Sequence, residues 1–598
     1  VADQQFTPGT PEWDAEVARV TALVPDQLVT RTGYAEKDLL NYKTFNARVG
    51  ASLNYRINDD LELSLQGNYA NGSSVYTAQS RFSLQNFQAY TGKLEIKSSN
   101  FFARVWLLTE NAGSTYDAGN TTAQLNERWK PSDQWYTDYV SAFTQGYIYP
   151  GGTSLANSYQ FARELADNRT KSGNVLVPGS PTRPLPGTPE FNTIWDDLKS
   201  KPRSEGGGLV VDNSAMYHAE GMYDFSHLFE KLSLQVGASQ RVISLNSEGT
   251  IWIDTPGNPI IQYQFGAYAQ LARGFFSDQL RVTMSGRWDD NSSFRGNFTP
   301  RFSVVYSLDK EKIHNVRASA QTAFRFASTT DQWLNFNLGQ LDINGRQFQF
   351  NVIGGNKEVQ DIYGLRDGPV YAVSGNNPFI GEPDSEPYII PEFIPETVSA
   401  LELGYKGLYF QRRLFVDAYF YHNTYNGFHA SQAIVQNPGG ATESRFIATI
   451  SSSTPMSTYG WAVGANLNLP KGYVLNGNIA NNSLSAQNDY PAGFQTRFNT
   501  PNYKINMSFG NYRLTDRFGF NVSWHWQNSF LWESDFGVAN IPAYSTLDAQ
   551  ISMKLPELLS SIKLGASNLL NQYYYTGYGN AQIGGLYYVT LSFDEFLN

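Results

Sequence analysis

Four arginines, Arg287, Arg301, Arg317 and Arg325, fall on the polar side of neighbouring alternating segments, and Glu402 falls on the same side of the next one. A guanidinium withdrawn from bulk water needs acceptors, and a carboxylate on an adjoining strand offers two at once. Such a row either pairs with itself and with a domain filling the enclosed space, or lays a path for an anionic solute. The rest of the chain offers little chemistry. The six histidines, His218, His227, His314, His422, His429 and His525, form no metal-binding spacing such as HExxH. The run DDNSSFRGN (289–297) has oxygen donors without the remaining calcium-loop pattern, so it reads as a turn. There is no phosphate loop, nucleophile elbow or dinucleotide fingerprint; the glycine-rich GYGNAQIGG (577–585) sits in a hairpin loop. No spacing pairs carboxylates as acid and base, so no catalytic residue, cofactor or resident metal is expected.

Composition narrows the class. Charged residues are 16% and aromatics 15% of 598 residues, against about 25% charged in an average globular protein. Cysteine is absent, which removes disulfides, thiolate metal sites and thiol nucleophiles. The net charge of −10 comes without a basic run, so nucleic acid is not an expected partner. No run of about 18 apolar residues exists, which excludes a helical span and leaves a β-barrel open. The opening VADQQFTPGTPEWDAE is polar and loop-like, without the apolar core of a signal peptide, and reads as the continuation of a longer chain.

The elements that position the arginine row are alternating segments. In STYGWAVGANLNLPKGYVLNGNIANNSLS (457–485), Tyr459, Trp461, Val463, Ala465 and Leu467 oppose Gly460, Ala462, Gly464 and Asn466, and a Pro-Lys-Gly turn joins two such stretches. About nineteen segments of this kind run from 45–57 to 586–597, each about 10 to 13 residues, the length of a tilted membrane-spanning strand. Short turns, such as 58–60, 98–100, 230–231 and 470–472, alternate with longer loops at 73–85, 113–215, 246–261, 289–297, 327–395, 424–456 and beyond. That alternation belongs to an outer-membrane barrel, with short periplasmic turns and long extracellular loops. Soluble propellers and sandwiches lack it. The expected fold is an all-β transmembrane antiparallel β-barrel over 45–598, with 1–44 as an extracellular loop. Plugged outer-membrane transporters have 22 strands, so about nineteen of 22 are expected here, with three strands and a plug domain outside the chain. TTAQLNERWKPSDQWYTDYVSAFTQGY in the loop 113–215 is expected to carry helix. Trp129, Trp135 and Tyr136 in that loop, and Trp333, Phe336, Tyr363 and Tyr371 in the loop 327–395, are the candidates for solute contact. The alternative is that they pack the loops into a rigid canopy.

Three stretches carry a family resemblance: NFTPRFSVVYSLDKEKIHNVRASAQTAFRFASTTDQW (297–333), IPETVSALELGYKGLY (394–409) and LGASNLLNQYYYTGYGNAQIGGLYYVTLSFDEF (564–596). They resemble the barrel of TonB-dependent outer-membrane receptors, most of all the large Bacteroidota members. The resemblance implies a receptor in the bacterial outer membrane that binds a scarce, unidentified solute with its loops and imports it when the TonB system pulls on the plug. Its partners would be membrane lipid, the plug, the TonB system and, in some assemblies, a surface lipoprotein. Departures are the missing plug and TonB box, and an end that runs to Leu597 and Asn598 beyond Phe596. Two other roles fit a barrel of this kind: a passive porin, and a scaffold in an outer-membrane assembly. Substrate identity does not follow from the fold, which handles siderophores, cobalamin, glycans and peptides alike.

Overall fold

The computed structural model describes residues 7, 10–23, 29–77, 80–148, 154–343, 346–374, 381–440, 442–485, 490–534 and 537–593. Nineteen strands form one antiparallel meander from Asn46–Arg56 to Leu586–Ser592, within a sheet that gains a twentieth from the two-residue strand Tyr116–Asp117. Each long strand pairs with the next in the chain, as in Leu53 opposite Leu65, Leu65 opposite Leu94, and Leu94 opposite Val105. Alternation makes one face apolar. Val49, Leu53, Leu65, Leu401, Leu403 and Ile551 all stand exposed on it, the arrangement of a surface solvated by hydrocarbon. Among the described residues, Asn46–Arg56 pairs only with Glu62–Thr77, and Leu586–Ser592 only with Ser560–Ser567, so the sheet is not closed into a ring.

All expected segments recur as strands, but several boundaries move. The loop expected at 73–85 is mostly hairpin, because the strands extend to Thr77 and resume at Arg81. Ser74 faces Leu84 across a bulge, since ladder hydrogen bonds do not require an apolar face above the membrane. The loop expected at 289–297 is also a tight hairpin: Phe294 faces Asn291, and the Asn291 carboxamide oxygen accepts from the Ser293 N–H. The turn placed at Glu230-Lys231 is longer, since the strand ends at Asp224 and a 3-10 turn Ser226–Leu228 follows. The segment 497–510 forms a strand only from Tyr503, and 561–571 only as far as Ser567. The last segment is described to Ser592 as strand; residues 594–598, with Phe596, Leu597 and Asn598, lie outside the described residues.

A meander sends its connections alternately to the two ends, so the long loops share one end. There they fold into two cores. Among the described residues the loop 113–215 forms four α-helices, Ala118–Trp129, Ser132–Phe143, Leu155–Asp167 and Pro189–Ser200. The expected helical stretch breaks at Pro131, which cannot continue the first helix. Asp117, Ser154 and Thr188 accept from the N–H groups of Asn120, Asn157 and Phe191 and so cap three of the four. Leu125, Trp135, Ala142, Ala162 and Phe191 fill the core, and Tyr34 and Leu40 of the N-terminal segment pack into it. The loops 327–395 and 424–456, expected as separate loops, instead supply six strands of a seven-stranded sheet, in which Arg346–Ile353 runs parallel to Ser444–Ser451 and the seventh strand, Phe494–Gln495 from a later loop, pairs with His429–Gln436. Phe350, Ile353, Val359, Leu365 and Phe446 are its core.

Candidate functional site

The polar face of the wall carries ion pairs set by strand register. Arg317 donates from Nε to Glu402 Oε1 at 3.0 Å and from Nη1 to Asp417 Oδ1 at 3.0 Å, and Lys406 Nζ lies 3.6 Å from Asp417. Gly404 faces Arg317 across the ladder, where a Cβ would stand 2.7 Å from Nε. The glycine is what lets the guanidinium lie across the neighbouring strand. The same device recurs at Gly266, opposite Asp289, whose missing Cβ makes room for the Arg287–Asp289 pair at 2.6 Å. Arg325 donates to Glu396 at 3.0 Å. Of the five residues singled out from sequence, only Arg317 and Glu402 meet each other. Arg287 and Arg325 take carboxylates not singled out, and Arg301 makes no ion pair among the described residues.

A second row escaped the sequence reading. Arg104 bridges Glu220 at 2.5 Å and Glu95 at 3.4 Å, the three residues standing in register on adjacent strands. Aligning the alternation of those segments would have found it, because all three lie on the polar side.

The loop aromatics are placed mostly inside the canopy. Trp135 is fully buried and donates from its indole to Asp167 Oδ1 at 2.8 Å; Trp129 donates to Asn126 Oδ1 at 3.1 Å. Arg31 lies over both rings at 5.3 and 5.8 Å while pairing with Glu127 at 3.1 Å. Trp333 and Phe336 are buried in the loop sheet's core. Packing therefore removes Trp129, Trp135, Trp333 and Phe336 from contact with a solute in this arrangement of the loops, because a long loop needs a core of its own. Tyr136, Tyr363 and Tyr371 are partly exposed. Tyr363 donates to Asn335 Oδ1 at 2.6 Å, and burial pushes its phenol up to about 12.

One buried ion pair joins the loops. Asp117 Oδ1 accepts from Ser80 Oγ at 2.6 Å and from the Asn120 N–H at 3.0 Å, and Arg203 Nε lies 3.5 Å from Asp117 Oδ2. Arg203 also donates to the carbonyls of Thr250 at 3.0 Å and Asn337 at 2.9 Å, and its guanidinium covers the Phe336 ring at 3.6 Å. Four connections thus converge on one guanidinium and its carboxylate. Burial pushes the Asp117 carboxyl up against the pull of Arg203, and lowers Arg203 in turn. Neither residue was legible as a site from sequence, since 86 positions separate them and neither lies in a motif.

A nineteen-strand meander with an apolar outer belt, an ion-paired polar face and folded loops at one end has known counterparts. The family described as TonB dependent receptor-like, beta-barrel matches residues 3–569. The chain belongs to this family. The family comprises transporters of the bacterial outer membrane, not enzymes, and membership implies engagement with the TonB system. No curated protein matches the sequence. Among solved structures, the siderophore receptor PirA from Acinetobacter baumannii is similar at a TM-score of 0.54 and 12% identity, over 92% of this chain and 70% of that one. A variant of the ferric enterobactin receptor PfeA from Pseudomonas aeruginosa gives 0.55 and 12%, over 92% and 69%. The copper transporter OprC gives 0.54 and 10%, over 92% and 71%. At such identities the likeness concerns the fold.

Proposed function

We propose that this chain is the wall and canopy of an energised uptake receptor: solute is captured at the loop end, and the ion-paired polar face holds a plug that the TonB system moves. The observation that carries the reading is the canopy. Two folded cores bolted together through Asp117 and Arg203 are a recognition platform rather than the fringe of an open pore. Support for a filled lumen comes from the paired arginines of the polar face. Residues 1–44 belong with the extracellular loops, a placement supported by Tyr34 and Leu40 in the helical core. Three further strands close the wall between Asn46–Arg56 and Leu586–Ser592, since unpaired N–H and C=O groups along both edges have no partners in hydrocarbon. The Bacteroidota subtype rests on the sequence resemblance alone.

The testing experiment compares depletion of small solutes from growth medium by cells with and without the gene, each with and without a protonophore. The reading expects one solute class to remain in the medium when either the gene or the proton-motive force is lost. Uptake indifferent to the protonophore, with a large steady conductance of the full-length protein in planar bilayers, would make it a porin instead.

A further inference from the structure

The helical canopy holds a cavity of about 600 Å³, well within the size range of small-ligand sites. It lies between the helix Leu155–Asp167 and the segment that follows, and four cations line it: Arg163, Arg169, Lys171 and Arg183. Two carboxylates, Glu164 and Asp167, line it as well, which leaves an excess of two positive charges. Ordinarily those carboxylates would claim two of the cations. Here neutral donors occupy them: Asp167 Oδ1 accepts from the Trp135 indole at 2.8 Å, and Glu164 Oε1 accepts from the Lys171 N–H at 2.9 Å and from Gln160 Nε2 at 3.0 Å.

The arginines are held in turn by neutral acceptors. Arg163 Nη1 donates to the Thr30 carbonyl at 2.8 Å and to Thr32 Oγ1 at 3.2 Å. Arg169 donates to the carbonyls of Arg183 at 2.5 Å and Gly173 at 2.7 Å. Arg183 donates to the Gly33 carbonyl at 2.5 Å, and its guanidinium covers the Tyr34 ring at 4.1 Å. Among the described residues none of the four cations forms an ion pair, although carboxylates line the same cavity. Three guanidiniums are therefore fixed in place without a direct carboxylate partner among the described residues, and the flexible ammonium of Lys171 stands exposed beside them, so the net excess of two positive charges stays open to a ligand. A cluster of that kind is pre-organised for an anion, because the ordering cost of the side chains is already met by backbone carbonyls.

We propose that this cavity is an anion-binding site that takes a ligand bearing at least two phosphate or carboxylate groups. Carboxylates and phosphates match the planar fork of arginine, and two such groups match the cavity's excess of two positive charges. The source is either a small solute or the phosphate-bearing headgroup of a membrane lipid, since both present the same oxygens. A part in uptake would rest on the function proposed above; the binding itself does not.

The test is calorimetric titration of the full-length protein in detergent with pyrophosphate and with citrate, neutral maltose serving as control, alongside vesicles with and without lipid A. Saturable binding of an anion, weakened by added salt and absent with maltose, is expected. Lys171→Gln should weaken it about tenfold, the loss of one charge-assisted hydrogen bond. Arg183→Gln should weaken it further; because Arg183 also positions Gly33, Lys171→Gln, whose side chain touches no other group by hydrogen bond among the described residues, is the decisive variant. Binding of lipid A vesicles alone would assign the headgroup as the source, and binding of free anions the solute. No anion binding from either source, or equal affinity in Lys171→Gln and the native protein, would overturn the proposal. Anion binding that persists where protonophore-sensitive uptake fails would leave this site standing and remove the uptake role.

Discussion

At the level of single residues, the polar face depends on where side chains are missing. Gly404 is required because Arg317 crosses above it to reach Glu402 and Asp417. Gly404→Val is expected to dislodge the guanidinium and lower unfolding stability by about 1 kcal/mol, the scale of a partly exposed pair, with no further loss in an Arg317→Met background. Denaturation midpoints of the four proteins close that cycle; an equal loss in both backgrounds would show that the glycine matters for another reason. His429 supplies a pH dependence. It lies in the loop sheet, where burial lowers its pKa despite the Ile394 carbonyl, Glu396 and Asp331, and Arg325 adds to the lowering. A fold that prefers the neutral imidazole keeps its full stability above the unfolded value of about 6.5 and loses it as pH falls from there towards the folded pKa. Protection against hydrogen exchange in His429–Gln436, taken relative to the intrinsic rate at each pH, should therefore fall between pH 7 and pH 5, and His429→Asn should flatten that response. The arginine row was legible in the sequence because a two-residue period sorts side chains by face. Its partners were less so, because Asp417 and Glu396 became partners only once register placed them beside Arg317 and Arg325.

At the level of elements, the strands were read correctly in number because alternation persists through ten or more residues. The loop sheet was not read, and the reason is physical. Its strands are short and buried on both faces, as in HASQAIVQ and SRFIATIS, so they show no alternation. Their pairing also depends on contacts made across almost a hundred positions, such as Phe350 with Arg445. The union of helical cluster and loop sheet rests on Asp117 and Arg203. Arg203→Ala strands a buried carboxylate and should cost about 3 kcal/mol locally. The expected signature is faster hydrogen exchange at Ile251–Trp252 and Asn335–Phe336, whose backbones adjoin the arginine's two carbonyl acceptors, largely reversed in an Asp117→Asn, Arg203→Met double variant. Unchanged exchange in Arg203→Ala would mean that the cores hold together without the pair.

At the level of the whole molecule, the proposed function makes the sheet a wall through the outer membrane, its short turns on the periplasmic side and its folded canopy outside. The turns 274–278, 409–412 and 470–472 and the canopy segment 171–182 must then lie on opposite sides of the membrane. The absence of cysteine from residues 1–598 makes this directly measurable, because any cysteine introduced is the only thiol within them. Single cysteines at Ser277, in a turn, and at Ser180, in the canopy, are both solvent-exposed positions. With a membrane-impermeant maleimide, Ser180→Cys should react in intact cells and Ser277→Cys only after the outer membrane is breached. Labelling of both in intact cells, or of Ser277→Cys alone, would contradict the account.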